Sequence, residues 1–147
     1  MGCDIHGIVE IKIGDKWVGI KELKSDNQNY ERFAQLASVR GHSDRTPNGI
    51  PPDASDMSMY YIEHWGEDGH SHSYMSLRDA CLVFIETDTI FDCEDRHFIS
   101  PEQVEIYTSH RKEYPADSYF GITVKEQEGS IGSPSIDRLR LVFWFDN

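Results

Sequence analysis

The chain has 147 residues, with 14 Lys+Arg against 26 Asp+Glu and a formal net charge of −12 at pH 7. That length suits one domain with a sizeable core, and that charge repels duplex nucleic acid and anionic lipid, which excludes polymeric nucleic acid and membrane surfaces as partners of first choice. No run reaches the roughly 18 apolar residues of a membrane span, and nothing basic precedes an apolar stretch behind Met1-Gly2-Cys3-Asp4, so neither a span nor a signal peptide is expected.

The first element is predicted from "CDIHGIVEIKI", which alternates with the period of a strand: Cys3, Ile5, Gly7, Val9, Ile11 and Ile13 share one face, and Asp4, His6, Ile8, Glu10 and Lys12 share the other. Gly14-Asp15 turns the chain into "KWVGIKEL", the second arm of a hairpin. Tyr30, Phe33, Leu36 and Ala37 then recur at spacings of three and four, so "NYERFAQLASV" is an amphipathic helix ending near Gly41. Residues 40–55 hold Gly, Pro and Asn-Gly and read as a long loop, a place where function often sits. A short helix capped by Ser55 or Asp56 follows.

"GEDGHSHS" reads as a polar loop carrying His70 and His72. Ser76 with Asp79 resembles a capping box ahead of a helix at 77–86, and Ser100-Pro101 starts another over 101–112. "RLRLVFWFDN" alternates again and is a closing strand. First and last strands often neighbour, so an antiparallel pair brings Asp146 beside Asp4. The expected fold is α+β: a single domain over 1–147, with a mainly antiparallel sheet whose first and last strands are adjacent, flanked by three to four helices. Cys3, Cys81 and Cys93 are odd in number and widely spaced, which fits free thiols in a reducing cytoplasm.

Chemistry concentrates in the histidines. Asp4-x-His6 on a strand offers a carboxylate and an imidazole on one face, and His70-x-His72 offers two more imidazoles. Mixed imidazole and carboxylate sets suit zinc and other first-row metals at sites that keep a position open for water. The expected metal ligands are therefore Asp4, His6, His70, His72 and Asp146. His64, Asp68 and His70 are the candidate catalytic groups, and Arg40 and Arg45 are the candidate clamps for an anionic substrate. His42, His97 and His110, taken singly, read as ordinary polar positions, and the Trp144 face reads as core.

The segments "MGCDIH", "NYERFAQLASVR", "GIPPDAS", "DGHSHSYMSL" and "LVFWFDN" together resemble a family of small bacteriophage proteins. The likeness covers most of the chain; it implies a phage accessory protein working in the host cytoplasm and leaves the chemistry open. Asp4-Ile5-His6 with Gly69-His70-Ser71-His72 is also similar to the D-x-H and G-H-x-H motifs of calcineurin-like metallophosphoesterases. That resemblance implies one ion on Asp4, His6 and His72 and a second touched by His70. No G-D-x-x-D follows the first strand and no G-N-H-[DE] occurs, so that family's bridging carboxylate is missing, and Asp146, Asp68 or Glu10 is a candidate to supply it.

These readings converge on a metal-dependent hydrolase, a phosphodiesterase of a small signalling nucleotide that uses Zn²⁺, Mn²⁺ or Ni²⁺ and has an anti-defence role, with self-association left open. The alternative is a non-enzymatic phage protein that sequesters a small host ligand or inhibits a host protein.

Overall fold

The computed structural model describes residues 2–23, 29–87 and 136–146. The helix expected over 101–112, together with Cys93, His97 and His110, lies outside them. Strand β1 (Asp4–Ile13) and strand β2 (Lys16–Glu22) form the expected hairpin, turned at Gly14, whose φ of 61° is readily available only to a residue without Cβ. Helix α1 (Tyr30–Ala37) starts where Asn29 accepts the Arg32 N–H, and helix α2 (Asp56–Trp65) starts where Ser55 accepts the Ser58 N–H. A 3₁₀ turn at Gly66–Asp68 leads to strand β3 (Gly69–Ser76) and helix α3 (Leu77–Glu86). Strand β4 (Leu139–Asp146) completes one four-stranded antiparallel sheet in the order β2-β1-β4-β3. First and last strands are neighbours, and Asp4 stands opposite Asp146.

One correction concerns an element. The histidine segment is a strand rather than a loop: it pairs with β4 from Gly69 opposite Asp146 to Ser76 opposite Arg140. Its polar composition hides the apolar alternation that marks strands. Strand β1 is an inner strand, flanked by β2 and β4.

Both faces of the sheet are covered. On one, Ile5 and Val9 of β1 and Leu141, Phe143 and Phe145 of β4 pack under α1 and α3, with Phe33 edge-on to Phe145 at 5.1 Å. Each such side chain contributes on the order of 1.5–3 kcal/mol when fully buried. Arg32 ties the two helices together by donating to Thr87 Oγ1 at 2.9 Å and to the Phe84 carbonyl at 3.0 Å. On the other face, Ile8, Val142 and Trp144 pack under Ile62 and Trp65 of α2.

Helix α2 is held to that face by a buried charge network. Glu10, fully buried, receives Arg140 Nε at 2.6 Å on one carboxylate oxygen, and the Ser55 N–H at 2.7 Å and Ser58 Oγ at 2.6 Å on the other. Glu10 is therefore occupied as the anchor of the α2 N-terminus and is not a spare carboxylate for a metal. Arg140 also donates to Asp53 at 3.0 Å, and its guanidinium lies 4.1 Å from the Trp17 ring centre.

The loop before α2 seals the outer edge of β3. Asn48 N–H donates to Ser73 Oγ, Asn48 Nδ2 to the Tyr74 carbonyl, and Gly49 N–H to the His72 carbonyl at 2.8 Å. Among the described residues no helix is long and apolar enough to cross a membrane.

Candidate functional site

One end of the sheet gathers most of the residues singled out from the sequence. The first residues of β1 and β3 and the last of β4 meet there, which sets two rows across the strands. The outer row is Asp4, Asp146 and Gly69; the inner is His6, Trp144 and the His72 segment. Register alone dictates these rows, since partners in adjacent strands project from the same face.

Asp146 is the centre of the outer row. Its Oδ1 accepts the Asp4 backbone N–H at 3.1 Å, and its Oδ2 lies 3.2 Å from His6 Nε2. That separation is short enough for an ion pair, yet the two groups are not aligned for a hydrogen bond, and His6 Nε2 is buried without a hydrogen-bond partner among the described residues. Alignment decides the matter, because a contact this poorly aimed gains little as a hydrogen bond. Trp65 of α2 stacks on the His6 ring at 4.1 Å and fixes its plane.

The H-x-H pair does not share a face. The register shifts between His70 and Ser73, and Ser71 takes a left-handed conformation with φ 55°. This bulge re-aims the strand. His72 stacks near Trp144 at 6.3 Å, on the α2 side, whereas His70 lies 6.3 Å from Phe145, whose side chain belongs to the opposite face. His70 Nδ1 meets Ser71 Oγ at 3.0 Å. The expectation that His70 and His72 act as a same-face pair is thus corrected: His72 joins His6, and His70 does not.

His72 Nε2 is buried with no partner among the described residues, and so is Trp144 Nε1. Burial pushes the His72 pKa below the usual 6.5, with the His70 charge adding to it, which favours the neutral ring. Gly69 leaves a gap beside these atoms. A Cβ at that position would lie 3.4 Å from Trp144 Cδ1, 3.5 Å from His72 Nε2 and 3.5 Å from Trp65 Cβ.

The other candidates stand further out. His64 is exposed on α2, its ring edge-on to Trp65 at 6.2 Å, and Asp68 is exposed in the 3₁₀ turn. Arg40 is exposed, with φ 58°, its guanidinium 5.3 Å from the Tyr30 ring centre. Burial raises the Cys3 thiol pKa and the nearby Arg40 charge opposes it, so Arg40 sits near the start of β1. Arg45 is exposed in a knot of serines, its carbonyl accepting from Ser38 Oγ at 2.6 Å.

Among the described residues no group of three or more His, Cys, Asp and Glu side chains stands ready-made to hold a metal ion. The closest approach is the pair His6–Asp146, with His72 on the same face across Trp144. A groove of about 540 Å³ lies elsewhere, lined in part by Trp17, Asp53, Asp56 and Met57, and none of the residues expected to form the site lines it. Sequence reasoning missed Trp65 and Trp144 as parts of the site; spacing could have signalled only Trp144, which shares the face of Asp146. No protein-family model, curated protein or solved structure matches the chain.

Proposed function

We propose that the protein is a metal-dependent hydrolase, a phosphodiesterase of a small signalling nucleotide, working in the host cytoplasm as a phage accessory factor. The observation that carries this reading is the contact of His6 Nε2 with Asp146 Oδ2 at 3.2 Å without a hydrogen bond. Two ligand atoms each about 2.1 Å from one ion are about 3.0–3.4 Å apart, so this separation is the one that shared ligation requires. His72, on the same face and with an Nε2 that has no partner among the described residues, supplies the third donor by a side-chain rotation towards Asp146.

In this reading a bound Zn²⁺, Mn²⁺ or Ni²⁺ lowers the pKa of its water towards ~7 and offsets phosphoryl charge that a chain of net charge −12 otherwise repels. The chain's own residues do the rest. Asp4 fixes the Asp146 carboxylate through its backbone N–H, Trp65 holds the His6 ring, Arg40 at the rim binds a substrate phosphate, and His64 or Asp68 orients water. Arg45 is a second phosphate contact supplied by the loop that seals β3.

The test combines elemental analysis of protein purified without a His tag with a chromatographic panel of cyclic dinucleotides, cyclic mononucleotides and ADP-ribose derivatives. Stoichiometric metal and turnover of one substrate, both lost in His6→Ala and Asp146→Asn, are expected. Ligand that binds and returns intact would move the protein to the sequestering class.

A further inference from the structure

The indole of Trp144 is buried at this end of the sheet. It is 1 % exposed, and its Nε1 has no hydrogen-bond partner among the described residues. Its packing partners are apolar: Ile8, Val142 and Ile62 share its cluster, and none of them engages the nitrogen. An N–H buried without a partner costs free energy that an apolar ring of similar shape avoids. Among the described residues nothing accounts for the nitrogen.

Its surroundings give it a use. Trp144 Cδ1, the ring atom bonded to Nε1, borders the gap over Gly69, and His72 Nε2 borders the same gap. Gly69 is the cross-strand partner of Asp146, so the gap lies beside the carboxylate that His6 also approaches. Gly69 itself has φ −82° and ψ 136°, ordinary extended backbone that any residue adopts, and a Cβ there meets its neighbours only at van der Waals distance. Neither backbone conformation nor steric crowding demands glycine at this position. An indole N–H donates and cannot ligate a cation, so it calls for an oxygen acceptor beside the ion's place.

We infer that Trp144 Nε1–H donates a hydrogen bond to an anionic oxygen of the substrate seated over Gly69, next to the His6, His72 and Asp146 donors. The inference deepens the metal-site reading above and rests on it. Trp144 is thereby a substrate-positioning donor that leaves metal affinity alone, and Gly69 is the space that the oxygen occupies. The ligand class is a phosphoryl or phosphonate oxyanion, whose charge makes such a bond stronger than a neutral one.

The experiment uses the full chain and two probes, Zn²⁺ alone and then methylphosphonate, by calorimetry and by following the indole N–H resonances, with Trp144→Phe assigning its own peak. Zn²⁺ affinity is expected to stay within about two-fold of wild type in Trp144→Phe, while methylphosphonate binding to the zinc-loaded protein weakens about ten-fold or more, the loss expected for one hydrogen bond to a charged group. In the wild type the Trp144 resonance should move downfield as the anion saturates. Gly69→Ala should keep the folding cooperativity and lose the anion by filling its space.

Equal anion affinity in Trp144→Phe, a Trp144 resonance unmoved at saturation, or wild-type anion affinity in Gly69→Ala each overturns the inference. Failure of the wild type to take up Zn²⁺ sinks the metal reading instead. An indole shift that still appears when methylphosphonate is added to metal-free protein would keep the donor assignment alone standing. Should Trp144→Phe not fold, the resonance in the wild type and the Gly69→Ala titration decide.

Discussion

The histidine end of the sheet buries ring nitrogens that no described residue satisfies. His72 carries a buried nitrogen without a partner among the described residues and a pKa pushed down by burial. His72→Phe keeps a ring against Trp144 and removes that nitrogen, so the variant should gain about 1 kcal/mol in urea denaturation while losing Zn²⁺ binding. The depressed pKa also sets a pH dependence. The unfolded chain takes up a proton at His72 near pH 6.5 and the folded chain only at lower pH. Stability is therefore full above pH 6.5 and falls as the pH drops through the window below it. Urea midpoints should rise between pH 5 and 7 in wild type, and the slope should flatten in His72→Phe. Asp53, whose pKa the Arg140 hydrogen bond lowers below 3.8, acts in a separate window under pH 4, where its contribution is lost on protonation. Cys3, fully buried with its pKa raised, should resist iodoacetamide in the native protein and react on unfolding, as site-resolved mass spectrometry will read.

At the scale of elements, the helix at 77–86, the cap at Ser55, the hairpin and the two long strands were legible because each carries a local signal: apolar spacing, a cap residue or a Gly turn. The pairing of Asp4 with Asp146 followed from two matching alternations. What escaped was set by tertiary context. The bulge at Ser71 breaks the period of two, so "GHSHS" could not announce a strand or say that its two histidines part. Glu10 looked like one more polar residue on a strand face, whereas Arg140, Ser55 and Ser58, which satisfy it, come from distant parts of the chain. Removing one partner of a buried pair is costly, and Glu10→Ala should destabilise by about 3–5 kcal/mol with an unchanged denaturant m-value. Gly19 is the second element-level test. A Cβ there would stand 2.5 Å from Met57 Cβ, so Gly19→Ala must push α2 off β2, at a cost of about 1–3 kcal/mol in the same measurement.

Across the whole molecule, the strand that comes last among the described elements sits in the middle of the sheet. β4 pairs with β1 on one side and β3 on the other, and α3 packs on it. Native-state hydrogen exchange should accordingly find the amides of Ile8, Val9, Leu141 and Phe143 among the slowest and those of β2 among the fastest of any strand. The arrangement also fixes a timetable for synthesis. Until residues 139–146 have been made, the β1–β2 hairpin is the one strand pairing described here that can form, and β1 holds an open, apolar edge. At the usual pace of translation, on the order of ten seconds separates the emergence of the hairpin from that of its partner. For that interval the nascent chain is a hairpin with an unsatisfied side, open to capture by holdase chaperones, and its solubility is settled before its sheet exists.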